Sequence, residues 1–341
     1  MTAAQSTLPS NVSPDLARLH EAVDAIPIGD TQPRGAAFKL VCADGRALAA
    51  RWFAPAATTR AVAVISAAAG VPQGFYRSFA NWLAQRGYAV LTYDYRGIGE
   101  SLTGPVRAET AAMRDWAQLD MSAALAAAEQ RRNATPGTRL PLLLVGHSFG
   151  GNGAALVRGV EAADAFLSVA SQSGDWRLWP GVHRWVTGYF FHVHVPAIAK
   201  VFGHVPGWAL GGSGAALPKH VALEWARWGR RRGYLFTDPR VGDAQALTRF
   251  VGTAHVWSVS DDWTYAPPSA VDAFAAKFVN ASLARYTLAP HHAGVKQIGH
   301  FGAFRRAAGM RVWPLWLSRI EAATPALRDA GLVAIGLRSE A

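Results

Sequence analysis

The chain has one cysteine, Cys42, in 341 residues. A lone thiol excludes an intramolecular disulfide framework and any zinc site built on several cysteines. It also suits a reducing compartment. Lysine is nearly as sparse: of 34 basic residues only Lys39, Lys200, Lys219, Lys277 and Lys296 are lysines. No apolar run reaches the ~18 residues that a membrane-spanning helix needs. Residues 1–30 have neither a cationic start nor the apolar stretch of a secretory leader, so no leader and a cytoplasmic location are expected. Charged residues make up only 17% of the chain and broadly apolar ones 50%, which excludes global disorder.

The net charge is +11 and the sequence pI about 10.3. The arginines are scattered, and the densest cluster is Arg227 with Arg230, Arg231 and Arg232. A nucleic-acid surface needs a contiguous basic face, so no specific nucleic-acid partner is expected. Charge of one sign would still draw in anionic substrates or membrane surfaces.

Residues 1–34, punctuated by Pro9, Pro14, Pro27 and Pro33, read as a loosely docked arm. From Phe38 the pattern becomes regular. Phe38 to Cys42 and Leu48 to Phe53 flank an Asp44-Gly45 turn and predict a hairpin. Apolar runs predict strands at Ala61 to Ser66, Tyr88 to Tyr93, Leu140 to Val145, Ala165 to Ala170, Ala254 to Ser260 and Leu283 to Leu288. Helical spacing alternates with them over Phe75 to Arg86, Glu109 to Arg132, Phe149 to about Val160, Ala270 to Val279 and Trp313 to Ala322. Asp115 and Asp120 then fall on the long helix as solvated or N-terminal charges. Strands apolar on both faces, alternating with helices, predict an α/β architecture: a mostly parallel eight-stranded sheet with helices on both sides and the hairpin at one edge.

One stretch breaks the alternation. Residues 175–237 hold Trp176, Trp179, Trp185, Trp208, Trp225 and Trp228, with Tyr189, Phe190, Phe191 and Phe202, cut by glycines and prolines. An aromatic insertion after the sixth strand can close a pocket or complete the core. The expected organisation is therefore an arm (1–34), a core (35–174 and 238–341) and a helical cap (175–237).

The segment carrying chemistry is Leu142 to Gly151, which contains Gly146-His147-Ser148-Phe149-Gly150-Gly151. A strand leads in and a helix can follow. A serine on such a sharp turn needs neighbours without a Cβ, and the helix start offers amides to an anion. Ser148 is the candidate nucleophile. A serine hydroxyl requires a base, itself oriented by an acid. Gln297-Ile298-Gly299-His300-Phe301-Gly302 supplies the candidate base, His300, in a glycine-bounded loop. Ser260-Asp261-Asp262 supplies the acid at a strand end. Counting from the strand favours Asp261; counting back from Ala266-Pro267 favours Asp262, which is preferred, with the other aspartate left to cap the turn. The order Ser, Asp, His is that of a strand–elbow–helix hydrolase.

An acyl-transfer site also needs two amide donors for its oxyanion. Phe149, just after the nucleophile, is the first candidate. The small-residue loop Ala67-Ala68-Ala69-Gly70 is the source of the second, with Ala68 preferred and Ala67 next. His192-Val193-His194 and His291-His292 lack the neighbours to complete a metal shell, and Tyr93 to Ser101 has too few glycines for a dinucleotide fingerprint, so no cofactor or metal is expected. Asp94 and Arg96 read as ties for the loop beside the nucleophile.

With these motifs the chain resembles the α/β-hydrolase superfamily, and within it a bacterial group related to serine aminopeptidase-like and monoacylglycerol-lipase-like proteins. The resemblance runs from about Phe38 to Ala322 on Ala69-Gly70-Val71-Pro72-Gln73, Tyr93 to Gly99, Gly146 to Gly151, Leu217-Pro218 with Glu224-Trp225-Ala226-Arg227-Trp228, Asp261-Asp262, and Ile298 to Gly302. It implies a Ser148, Asp262, His300 triad and a cap after the sixth strand. The stretch from Asp262 to Pro267 is one residue longer than the family's pattern. The expected function is a serine hydrolase cleaving a small-molecule ester or thioester, or an amide, through an acyl-enzyme. An acyltransferase with the same triad, and an idle scaffold holding an anionic partner, are the alternatives.

Overall fold

The computed structural model describes residues 35–211 and 214–334; the expected arm, residues 1–34, lies outside them. Six strands form where the apolar runs lie: β1 (Ala36–Val41), β2 (Ala47–Phe53), β3 (Ala61–Ser66), β4 (Tyr88–Tyr93), β5 (Leu142–His147) and β6 (Ala165–Val169). Two more, β7 (Thr253–Val259) and β8 (Ser282–Leu288), close the sheet. Its order is β1-β2-β4-β3-β5-β6-β7-β8. The β1–β2 and β2–β4 pairs are antiparallel and the others parallel. β3 to β7 are buried along their whole length, as sheets covered on both faces must be.

Helices α1 (Arg77–Ala84), α2 (Ser122–Arg132), α3 (His183–Tyr189), α4 (Val195–Phe202), α5 (Lys219–Arg230), α6 (Pro268–Ala275), α7 (Arg306–Ala323) and α8 (Pro325–Ala334) follow. α1 gives way to a turn in which the Gly87 amide, at φ 85°, donates to Ala84 O at 3.1 Å. α1, α7 and the turn before α7 bring together Phe79, Trp82, Phe304, Trp313 and Trp316, all nearly fully buried. Each large side chain so buried contributes about 1.5–3 kcal/mol.

Two readings of the first long helix change. Regular helix begins at Met113, not Glu109: Glu109 accepts the amides of Thr110 and Ala111 and pairs with Arg46, while Asp115 takes the Ala112 amide at 2.8 Å. Asp120 is not solvated. It has no exposed surface and accepts the Arg96 amide (2.9 Å) and Nε (2.7 Å). Burial first, opposed by Arg96, pushes its carboxyl up to about 6. The helix after Ser148 is also shorter, Phe149–Asn152 followed by a 3-10 turn to Leu156.

Between β6 and β7 the chain leaves the sheet and returns by way of α3, α4 and α5. Buried Glu224 on α5 fastens this segment to the sheet side by accepting the Arg114 amide at 2.9 Å and its guanidinium at 2.6 Å.

Candidate active site

β5 ends in a sharp turn. Ser148 has φ 54° and ψ −115°, a conformation costly for a residue with a side chain. Its amide donates to Val169 O at 3.0 Å, which pins the turn to β6. The glycines are required by close approach: a Cβ on Gly150 would sit 2.0 Å from Ser66 O, and one on Gly146 2.5 Å from Gly151 Cα. Phe149 opens the short helix, where the first amides have no carbonyl upstream.

The C-terminal ends of β7 and β8 bring in the other two groups. Asp262 follows a turn closed by its own amide on Val259 O at 3.1 Å. Its Oδ2 lies 2.5 Å from His300 Nδ1, and its Oδ1 accepts the Tyr265 amide at 3.1 Å. Both residues are buried. A carboxylate can only accept, so Nδ1 carries the proton and donates to it. Asp261 does something else: its two oxygens accept the Ile298 amide (2.9 Å) and the Gly299 amide (3.0 Å), holding the loop in front of His300. The Tyr265 ring covers His300 at 4.8 Å.

Ser148 and His300 line one cavity of about 240 Å³. Its wall includes Ala68, Ala69 and Val71 from the loop after β3, and Trp179, Phe190, Phe191, Leu217 and Trp225 from the segment between β6 and β7. No Asp, Glu, Lys or Arg is among its described lining residues.

The small-residue loop departs from expectation at one point. Ala68 reaches the cavity wall, but its amide donates to Tyr76 Oη at 2.9 Å and is therefore spent inside the protein. Ala69, the next residue, shares the wall and was passed over in the sequence.

Sequence reasoning also missed Tyr76 and His147. His147 Nε2 lies 2.9 Å from the His300 carbonyl, which can only accept, so Nε2 carries the proton and Nδ1 is an acceptor. Tyr76 Oη, 2.7 Å from that Nδ1, is then the donor. The path Ala68 N–H, Tyr76 O–H, His147 N–H, His300 O thus ties three loops together behind the cavity. Burial, then the nearby His300, holds His147 well below the ordinary histidine range, so it stays neutral. Asp94 and Arg96 do tie down neighbouring loops: Asp94 accepts the amides of Gln73 (2.6 Å) and Glu100 (2.9 Å), and Arg96 bridges Asp44 and Asp120.

A strand–Ser148 elbow–helix unit and strand-end loops on a mostly parallel eight-stranded sheet give the chain the α/β-hydrolase fold. The family described as serine aminopeptidase, S33, matches residues 57–193, which include Ser148 and stop short of Asp262 and His300. No curated protein matches in sequence. Among solved structures, a soluble variant of monoglyceride lipase from Saccharomyces cerevisiae superposes with TM-score 0.57 at 12% identity, covering 89% of this chain and 98% of that one. Brefeldin A esterase, a bacterial homologue of human hormone-sensitive lipase, gives 0.53 at 17% identity over 97% of this chain and 90% of that one. Pyrococcus horikoshii acylaminoacyl peptidase gives 0.53 at 12% identity over 85% of this chain, which spans only 41% of the peptidase.

Proposed function

We propose that the chain is a serine esterase acting through an acyl-enzyme on Ser148. The observation carrying this reading is the buried 2.5 Å contact of His300 Nδ1 with Asp262 on the wall of the cavity that Ser148 also lines. Ser148 Oγ attacks the ester carbonyl and its proton passes to His300 Nε2. Asp262 holds the ring in that tautomer and stabilises the imidazolium. The amides of Phe149 and Ala69 donate to the developing oxyanion. His300 then gives its proton to the departing alkoxide. Water, deprotonated by the same nitrogen, releases the acid and restores Ser148.

The cavity argues for the substrate class. A peptide N-terminus brings an ammonium that costs several kcal/mol to bury unless paired, and the described wall offers no carboxylate. The pocket-bound part is therefore uncharged and apolar. A 150 Å³ cavity holds a benzene ring, so about 240 Å³ accommodates roughly eight to ten carbons.

Labelling with a fluorophosphonate tests the chemistry. The wild type should label, and Ser148→Ala and His300→Ala should not. p-Nitrophenyl esters of increasing acyl length should show kcat/KM rising to medium chains and then falling. A folded wild type that fails to label, or labelling that survives Ser148→Ala, refutes the reading.

A further inference from the structure

The outer surface of the segment between β6 and β7 carries most of the exposed large apolar side chains among the described residues. α3, a π-helical turn (Phe190–His194) and α4 form one continuous helical path over residues 183–202. Its inner side buries Gly188, Phe191, Val195 and Ala199. Its outer side presents Trp185, Tyr189, Val193, Ala197 and Val201, four residues apart. Trp185 is 68% exposed, Tyr189 59% and Val201 78%. Phe202 and Trp208, also exposed, extend the stripe, with their rings 6.4 Å apart. Large aromatics left side by side in water mark a surface that meets something else.

The charges beside the stripe are of one sign. Arg184 and Lys200 are exposed along it, with the imidazoles of His183 and His192 beside them, and residues 176–223 contain no Asp or Glu. An exposed aromatic and aliphatic stripe edged only by bases is the composition of a helix lying in a membrane interface. There the rings sit among the headgroups and the cations face anionic lipid. A second copy of the chain would meet this face with the same acid-free, basic surface, so self-pairing is opposed by like charge. Val186 connects the surface to the cavity, being 60% exposed and also on the wall shared with Ser148.

We infer that this face docks on an anionic phospholipid bilayer, with Trp185, Tyr189 and Phe202 in the headgroup layer and Arg184 and Lys200 on lipid phosphates. The cavity then opens toward the bilayer, where apolar esters dissolve. Docking itself does not rest on the esterase reading, because vesicle binding is measured without turnover.

The experiment is co-sedimentation of the full chain with vesicles of phosphatidylcholine alone or mixed with phosphatidylglycerol. The wild type should sediment with the mixed vesicles and far less with the neutral ones. Trp185→Ser/Tyr189→Ser/Phe202→Ser should weaken binding at least roughly tenfold. Arg184→Gln/Lys200→Gln should reduce the preference for phosphatidylglycerol and its sensitivity to salt. Circular dichroism and fluorophosphonate labelling should match the wild type in both variants, since none of these residues lines the cavity. Absence of sedimentation, or equal sedimentation by the aromatic variant, overturns the proposal. So does a wild-type dimer in light scattering that the aromatic variant lacks, which would assign the face to a second copy.

Discussion

Tyr76→Phe isolates one oxygen whose loss should be felt in three loops. The ring itself stays: its edge contacts with Phe75, Phe304 and His147, at 5.1, 5.2 and 5.8 Å between centroids, need no hydroxyl. What disappears is the acceptor for the Ala68 amide and the donor for His147 Nδ1, both buried. A buried polar group left unpaired costs about 1–3 kcal/mol, so two cost about 2–6 kcal/mol. With an unfolding entropy of about 2.1 cal/mol/K per residue, a domain of this size should lose roughly 3–9 °C in Tm. The kinetic consequence follows from what the oxygen joins. The loop bearing Ala69, the elbow bearing Ser148 and the loop bearing His300 lose a shared anchor, and misplacement by about 1 Å costs on the order of 100-fold in rate. Calorimetry and hydrolysis of a short p-nitrophenyl ester should therefore show a lower Tm, with kcat down about 10- to 100-fold and KM little changed. A variant that melts with the wild type and keeps its kcat would show that the hydroxyl anchors nothing.

Asp262→Asn should lower kcat by on the order of 10,000-fold, the loss seen when a triad acid stops fixing its histidine's tautomer; Asp261→Asn should cost far less, and equal losses in the two would contradict the assignment of roles. Gly150→Ala should abolish soluble expression or labelling, because its Cβ would lie 2.0 Å from Ser66 O, and a well-folded, active variant would contradict the backbone approach. Burial, reinforced by Arg319, depresses His255 to about 4 from 6.5. Its folded pKa thus lies below its unfolded one, so the unfolded chain takes the proton first and stability falls as pH drops from about 6.5 toward 4. The slope is about 1.4 kcal/mol per pH unit. Denaturant titrations of His255→Leu should lack that share of the slope, and an unchanged slope would refute it.

The centre of the sheet was legible because β3 to β7 are short apolar runs buried on both faces; β3 and β4 run over the residues that the apolar pattern predicts. Ser148 was legible because close backbone packing forces glycine on both sides of it. Other features depend on partners far along the chain. Asp120 looks like an ordinary helix-surface acid until Arg96, brought back by β4, faces it across the interior. Tyr76 falls in a stretch of helical spacing and His147 in the elbow motif, and nothing local reveals that they meet. Ala68 and Ala69 are indistinguishable as letters, and only the Tyr76 hydroxyl separates them. Between β6 and β7, glycines and prolines cut the periodicity, so aromatic content was visible while the direction of each ring was not.

The placement of β8 has a consequence for biosynthesis. Ser148, with its strained turn and surrounding glycines, is complete in the first half of the chain. His300 arrives only after β8 has added itself to the open edge of the sheet beside β7. If His300 is the base proposed for Ser148, a polypeptide emerging from the N-terminus displays its serine long before it can deprotonate it. Fragments released early, or chains nicked ahead of the last strand, carry an unactivated alcohol. Reactivity toward a phosphonate would thus report completed translation and edge-strand docking, and the cell would be spared a half-made hydrolase.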